Sequence, residues 1–91
     1  MKIYLPLVEL LAGLSEECCE LGQAALKLRR VFDGVNPTPM TEQDAINRFE
    51  EEIADVMLYL EQISYSKMHV REVMQAKRAR WEARLDAGVK D

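Results

Sequence analysis

Ninety-one residues allow one small domain, and chains of this size commonly gain core by oligomerising. A net charge of −4 excludes a generic nucleic-acid binder, which needs a basic face. Two adjacent cysteines cannot staple a small secreted fold, and no window approaches the roughly 18 apolar residues that cross a bilayer.

The opening stretch MKIYLPLVELLAGLSEE carries an early Lys and an apolar run. Pro6 and Glu9 interrupt that run and no small-residue cleavage site follows, so the expectation is a cytoplasmic protein with reduced thiols. Pro6 suits the first turn of a helix. From there Leu7, Leu10, Leu11, Leu14, Cys18, Leu21, Ala25, Leu28 and Phe32 recur at three- and four-residue steps, which predicts one helix over about 6–33 with a continuous apolar stripe. Gly34 is a natural stop, and Asn36-Pro37-Thr38-Pro39 cannot continue the helix.

A second helix is predicted over 41–64. Thr41 is its N-cap, and Glu42 and Asp44 sit in its first turn. Its stripe is Ile46, Phe49, Ile53, Val56, Met57, Leu60 and Ile63. The stretch Ser64–Met68 is weakly helical and reads as the second turn. A third helix, over 69–87, carries Val70, Val73, Met74, Trp81 and Leu85 and fades at Gly88. No segment has a β period and nothing repeats. The chain therefore reads as a single all-α domain, 1–91, a helical bundle of three main helices. Its broad apolar faces are best covered by a homodimer, or a tetramer, that pools helices into a four-helix core. A monomeric three-helix bundle is the alternative.

The chemistry sits in residues 16–20, EECCE. At about 100° per residue, Glu17 lies about 60° from the centre of the first stripe and Glu20 about 60° further round. On the second helix Glu52 and Asp55 sit three apart on one flank, with Tyr59 a turn on. When the two apolar faces pack, these flanks meet, and Glu17, Glu20, Glu52 and Asp55 converge at the mouth of the bundle. Like charges so close raise one another's pKa values unless a cation intervenes. Oxygen ligands without His or Cys suit Mg2+ first and Mn2+ second. A solvated acidic helix face is the plain alternative for either pair alone. Cys18 falls on the stripe as a small core residue, and Cys19 points to solvent or a subunit contact.

At these residues the sequence resembles MazG-like members of the all-α nucleoside triphosphate pyrophosphohydrolase superfamily. That family carries E-E-x-x-E on one helix and E-x-x-D on the next, here Glu16-Glu17-Cys18-Cys19-Glu20 and Glu52-Ile53-Ala54-Asp55. The likeness runs over residues 10–65, through EECCELGQAALKLRR, NPTP and EEEIADVMLYL; the third helix matches only loosely. It implies Mg2+-dependent hydrolysis of a nucleoside triphosphate to the monophosphate and pyrophosphate, a nucleotide house-cleaning activity. Glu17, Glu20, Glu52 and Asp55 become the metal ligands. Glu16 becomes an accessory ligand or positions water, and Glu16 or Glu17 accepts the proton of the attacking water.

Lys27, two turns beyond Glu20, and Arg30, one turn further, are candidate phosphate contacts; solvated helix charges are the alternative. Lys77 interrupts the third stripe and needs an anion or must snorkel out, so it serves a phosphate or a salt bridge equally well. Related enzymes often carry an Asn shortly after this Lys, where this chain has Trp81. Thirty-one residues separate Glu20 from Glu52, longer than in many members, so the NPTP loop reads as an added lid or base-recognition element. Asn36 there is a candidate nucleobase contact, although Asn before Pro is ordinary turn chemistry. Tyr59 and Trp81 are further candidates for the nucleotide, with packing as their simpler role. His69 has no ligand-spaced partner and reads as a surface or helix-start residue.

Two other functions compete with the enzyme. One is a non-catalytic helical dimer whose acidic cluster binds a divalent cation or a partner. The other, a ferritin-like di-iron protein, needs Glu-x-x-His motifs that this sequence lacks.

Overall fold

The computed structural model describes residues 5–34 and 39–88, which form three helices and no strand. They are α1 (Leu7–Asp33), α2 (Glu42–Gln62) and α3 (Lys67–Gly88). Asn36, with Pro37 and Thr38, lies outside the described residues. None of the described helices is long and apolar enough to cross a membrane.

Local chemistry sets the helix ends. Pro6 stands just ahead of α1, and its carbonyl accepts from the N–H groups of Glu9 and Leu10, both at 3.0 Å. At the other end Gly34 adopts a left-handed φ of 68° and donates its N–H to the Arg30 carbonyl at 2.9 Å, a conformation that glycine takes without steric cost. Thr41 caps α2 as expected: its hydroxyl accepts from the Asp44 N–H at 3.1 Å.

The second turn sits earlier than Ser64–Met68. The helix α2 ends at Gln62, whose side-chain amide donates to the Leu58 carbonyl at 3.0 Å, and Ile63 turns the chain into extended backbone. Ser66 then starts α3 by accepting from the His69 N–H at 3.1 Å. Two residues placed beyond the helix, Lys67 and Met68, are therefore helical, and His69 lies exposed within the first turn.

The helices α1 and α2 pack as an antiparallel hairpin, in which Gly13 meets Tyr59 and Glu17 meets Glu52. Their seam follows a seven-residue repeat: Leu10, Glu17, Ala24 and Val31 face Ala45, Glu52 and Tyr59. Leu10, Ala24, Ala45 and Glu52 are the buried residues. Small side chains let the backbones approach closely, and Gly13 is the extreme case, because a Cβ there would strike the Tyr59 ring.

This seam is rotated from the apolar stripes. On a 100°-per-residue wheel it lies roughly 75° from the centre of each. The far sides of the stripes, Leu7, Leu11 and Phe32 on α1 and Met57 on α2, are exposed. Cys18 is exposed with them, not a core residue. In an antiparallel pair, offsets of one sign turn to one side, so these positions form a single open apolar face across both helices.

The three helices do not close into a bundle within one chain. No Cα of α3 comes within 8 Å of α1 or α2, and every α3 residue is exposed. The radius of gyration is 17.1 Å, whereas a compact chain of this length has about 12 Å. The molecule is a thin two-helix layer with an arm, 46 × 38 × 19 Å.

Candidate metal centre

The hairpin seam has two positions where packing asks for an apolar residue and the sequence supplies a carboxylate. Glu17 on α1 is half-buried, and Glu52 on α2 is only 4% exposed. The exposed Glu20, one turn along α1, joins them. One carboxylate oxygen from each of the three lies within 4.8 Å of the others. Asp55 is half-buried on the same flank of α2 as Glu52, and its charge is close enough to act on Glu17.

Electrostatics mark the site as under tension. The Glu17 pKa is raised above the ordinary carboxylate value. Partial loss of water is the largest cause, followed by the negative charges of Glu20, Asp55 and Glu52. A hydrogen bond to Glu20, which only a protonated carboxyl can supply, adds to the shift. Glu52 has one local counter-charge, since Arg48 Nε reaches its Oε1 at 3.1 Å from one turn earlier on α2. The remaining oxygens, Glu17 Oε2 and Glu52 Oε2, are buried with no hydrogen-bond partner. Buried carboxylate oxygens in native structures are ordinarily satisfied. A hard divalent cation coordinated by both oxygens would satisfy them, and the all-oxygen donor set matches Mg2+ or Mn2+.

Not every candidate residue gathers here. The side chain of Glu16 is exposed, about 100° round α1 from Glu17, outside the three-carboxylate group. Lys27 is exposed and Arg30 half-buried further along α1, and Tyr59 is half-buried in the seam one turn beyond Asp55. Lys77 and Trp81 lie on α3, which does not approach the acids within one chain.

Two site residues escaped the sequence reading, although each left a signal. Arg48 stands four before Glu52, the spacing of a helical ion pair. Gly13 is an isolated glycine inside a helical pattern, which marks a close approach.

The fold and site together define a class, a helical hairpin with a carboxylate centre built into its seam. Set against known proteins, the chain matches no family model, and no curated protein or solved structure proved similar to it.

Proposed function

We propose that this chain is a Mg2+-dependent nucleoside triphosphate pyrophosphohydrolase that converts an NTP or dNTP to the monophosphate and pyrophosphate. We place it in a homodimer whose open apolar faces meet in a four-helix core. The observation that carries the reading is the meeting of Glu17 and Glu20 of E-E-x-x-E with Glu52 of E-x-x-D; Asp55 lies outside that three-carboxylate group, near enough for its charge to act on Glu17. Glu17, Glu20 and Glu52 converge within 4.8 Å, and two of their oxygens are buried without partners. A structural helix seam has no use for such an arrangement, because each unpaired buried carboxylate oxygen carries a desolvation cost.

When bound, Mg2+ would neutralise charge on the phosphate chain and acidify the attacking water. The protein's own side chains do the rest. Glu17, Glu20, Glu52 and Asp55 would hold the cation, and Arg48, bound to Glu52 Oε1 at 3.1 Å, leaves Oε2 available to it. Glu16 is not tied into the cluster and accepts the proton of the water, with Glu17 as the other candidate base. Lys27 follows Glu20 by two turns and holds the anionic product end, with Arg30 beyond it.

The test is a panel of NTPs and dNTPs with Mg2+, assayed for released pyrophosphate. Glu20→Gln and Asp55→Asn are each expected to abolish release while far-ultraviolet circular dichroism stays unchanged. Release that survives both substitutions sinks the site. Cation binding with no turnover on any nucleotide replaces the enzyme with a non-catalytic, cation-binding dimer.

A further inference from the structure

The arm α3 has a pattern that nothing in its own chain answers. On a helical wheel Val70, Met74, Trp81 and Leu85 fall within about 60° of arc, and all four are exposed. Lys77 and Arg84 border this ridge on one side, Arg78 and Arg71 on the other. Of the acids, Glu72 and Asp86 lie more than about 120° from the ridge centre, and Glu82, about 90° away, stands just outside Arg78 and Arg71. Part of the ridge lines an open groove in which Met74, Trp81 and Leu85 alternate with Lys77 and Arg78, with Glu82 at its edge. Two such ridges cannot pair with each other, because their cationic borders would face.

The complement is on α2. Opposite its seam, on the outer flank of the hairpin, Ala54, Met57 and Leu58 are interleaved with Glu50 and Glu61 and bordered by Glu51, all of them exposed. The helix's one cation, Arg48, is turned to the seam side, against Glu52. Apolar side chains among acids thus match an apolar ridge among cations. The two helices also match in length, with 21 residues in α2 and 22 in α3. Ile63, in extended backbone at φ −92° and ψ 131°, carries α3 away from its own α2, which leaves that flank free.

We propose that α3 is an exchanged arm that docks along the outer flank of α2 in a second copy of this chain. The contact is reciprocal about a two-fold axis, each copy giving its arm and accepting the other's. Each helix face is about 33 Å by about 10 Å, so two arm contacts bury about 1,300 Å2 in total, the size of a standard specific interface. Apart from Met57, which stands at the edge the two surfaces share, the arm uses the flank and leaves the rest of the open apolar face to the four-helix core. The proposal rests on the homodimer described above and not on its chemistry.

Trp81 is the only tryptophan and is 61% exposed in the single chain, so it reports directly on docking. The full-length protein is diluted through a concentration series while its mass is read by light scattering and Trp81 emission is recorded. Emission is expected to be blue-shifted where the mass is that of a dimer and to move red as the dimer dissociates. Reversing the flank with Glu50→Arg and Glu61→Arg should abolish the blue shift, and adding Arg78→Glu and Arg84→Glu should restore it. Red emission from the dimer overturns the proposal, as does a monomeric mass at every concentration. Blue emission that persists in the monomer overturns it in favour of the chain's own α2, and a blue shift indifferent to flank reversal overturns the charge match. Neither readout involves catalysis, so a failed nucleotide assay leaves this test intact.

Discussion

The hairpin and the arm are made of similar amino acids, and the chain treats them in opposite ways. In α1 and α2 one small residue at a seam position of each helix, Ala24 and Ala45, lets the two backbones close on each other, and Leu10 is buried beside them. In α3 alanine is more frequent, at Ala76, Ala79, Ala83 and Ala87, yet every residue is exposed. The difference is where the charges stand. The hairpin seam admits carboxylates at two core positions, whereas α3 surrounds its apolar ridge with cations that its own chain does not neutralise. Helical periodicity is therefore a necessary condition for burial and not a sufficient one. A helix buries its stripe only against a surface that also satisfies the rim.

The largest expected effect separates these regions directly. Leu10→Ala removes a residue that is 5% exposed at the seam and should cost about 2–5 kcal/mol, enough to unfold a hairpin with so small a core. Leu85→Ala, at an exposed α3 position, should change stability by no more than about 0.5 kcal/mol when the protein is dilute enough to be monomeric. Thermal melts followed by circular dichroism measure both. Equal losses in dilute protein would mean that α3 packs within its own chain.

The same contrast explains which parts of the structure were legible in the sequence. Three helices, the Thr41 cap, the Gly34 stop and the grouping of Glu17, Glu20 and Glu52 follow from periodicity and capping chemistry alone. The start of α3 is hard to read because its cap, Ser66, follows the weaker helix formers Ser64 and Tyr65, and the apolar stripe begins only at Val70. The seam was misplaced for a more general reason. A wheel of hydrophobicity finds the direction in which a helix is most apolar, and that includes surface the single chain leaves exposed. The closest approach is chosen instead by size, at Gly13, Ala24 and Ala45, which scarcely register as hydrophobic. Hence Cys18 was assigned to a core that the single chain leaves open. The position of α3 cannot be read from its wheel at all, since the periodicity of one helix does not say against which surface its ridge packs, and α3 packs on neither α1 nor α2 of its own chain.

An intermediate effect probes that size rule. The ring and hydroxyl of Tyr59 occupy the space that a Cβ on Gly13 would take. Gly13→Ala places a methyl group there and should destabilise the hairpin by about 1–3 kcal/mol through overpacking. In a Tyr59→Ala background the clash is gone and only helix propensity remains, so the same change should stabilise by up to about 1 kcal/mol. The sign reversal in this double-mutant cycle isolates the contact. If Gly13→Ala stabilises both backgrounds, the seam has slack and close approach does not set its register.

The smallest effect is the pH dependence of the hairpin, and its sign follows from Glu17. Loss of water raises its pKa in the folded protein, and Glu20, Asp55 and Glu52 raise it further; in the unfolded chain those constraints are gone. Between the two pKa values the folded state binds the proton and the unfolded state does not, so folding is favoured by protonation. That contribution is complete below the unfolded pKa and is lost as pH rises through the raised folded value. Metal-free protein should therefore lose stability as pH rises through that window, and Glu17→Gln, which cannot ionise, should flatten the slope. Mg2+ should act in the opposite sense. It binds ionised carboxylates and is linked to folding by mass action, so the stability it adds should grow with pH over the same window. Melting temperatures against pH, with and without Mg2+, measure both slopes. Parallel curves would mean that the ion binds away from Glu17 and that the seam carboxylates are not its ligands.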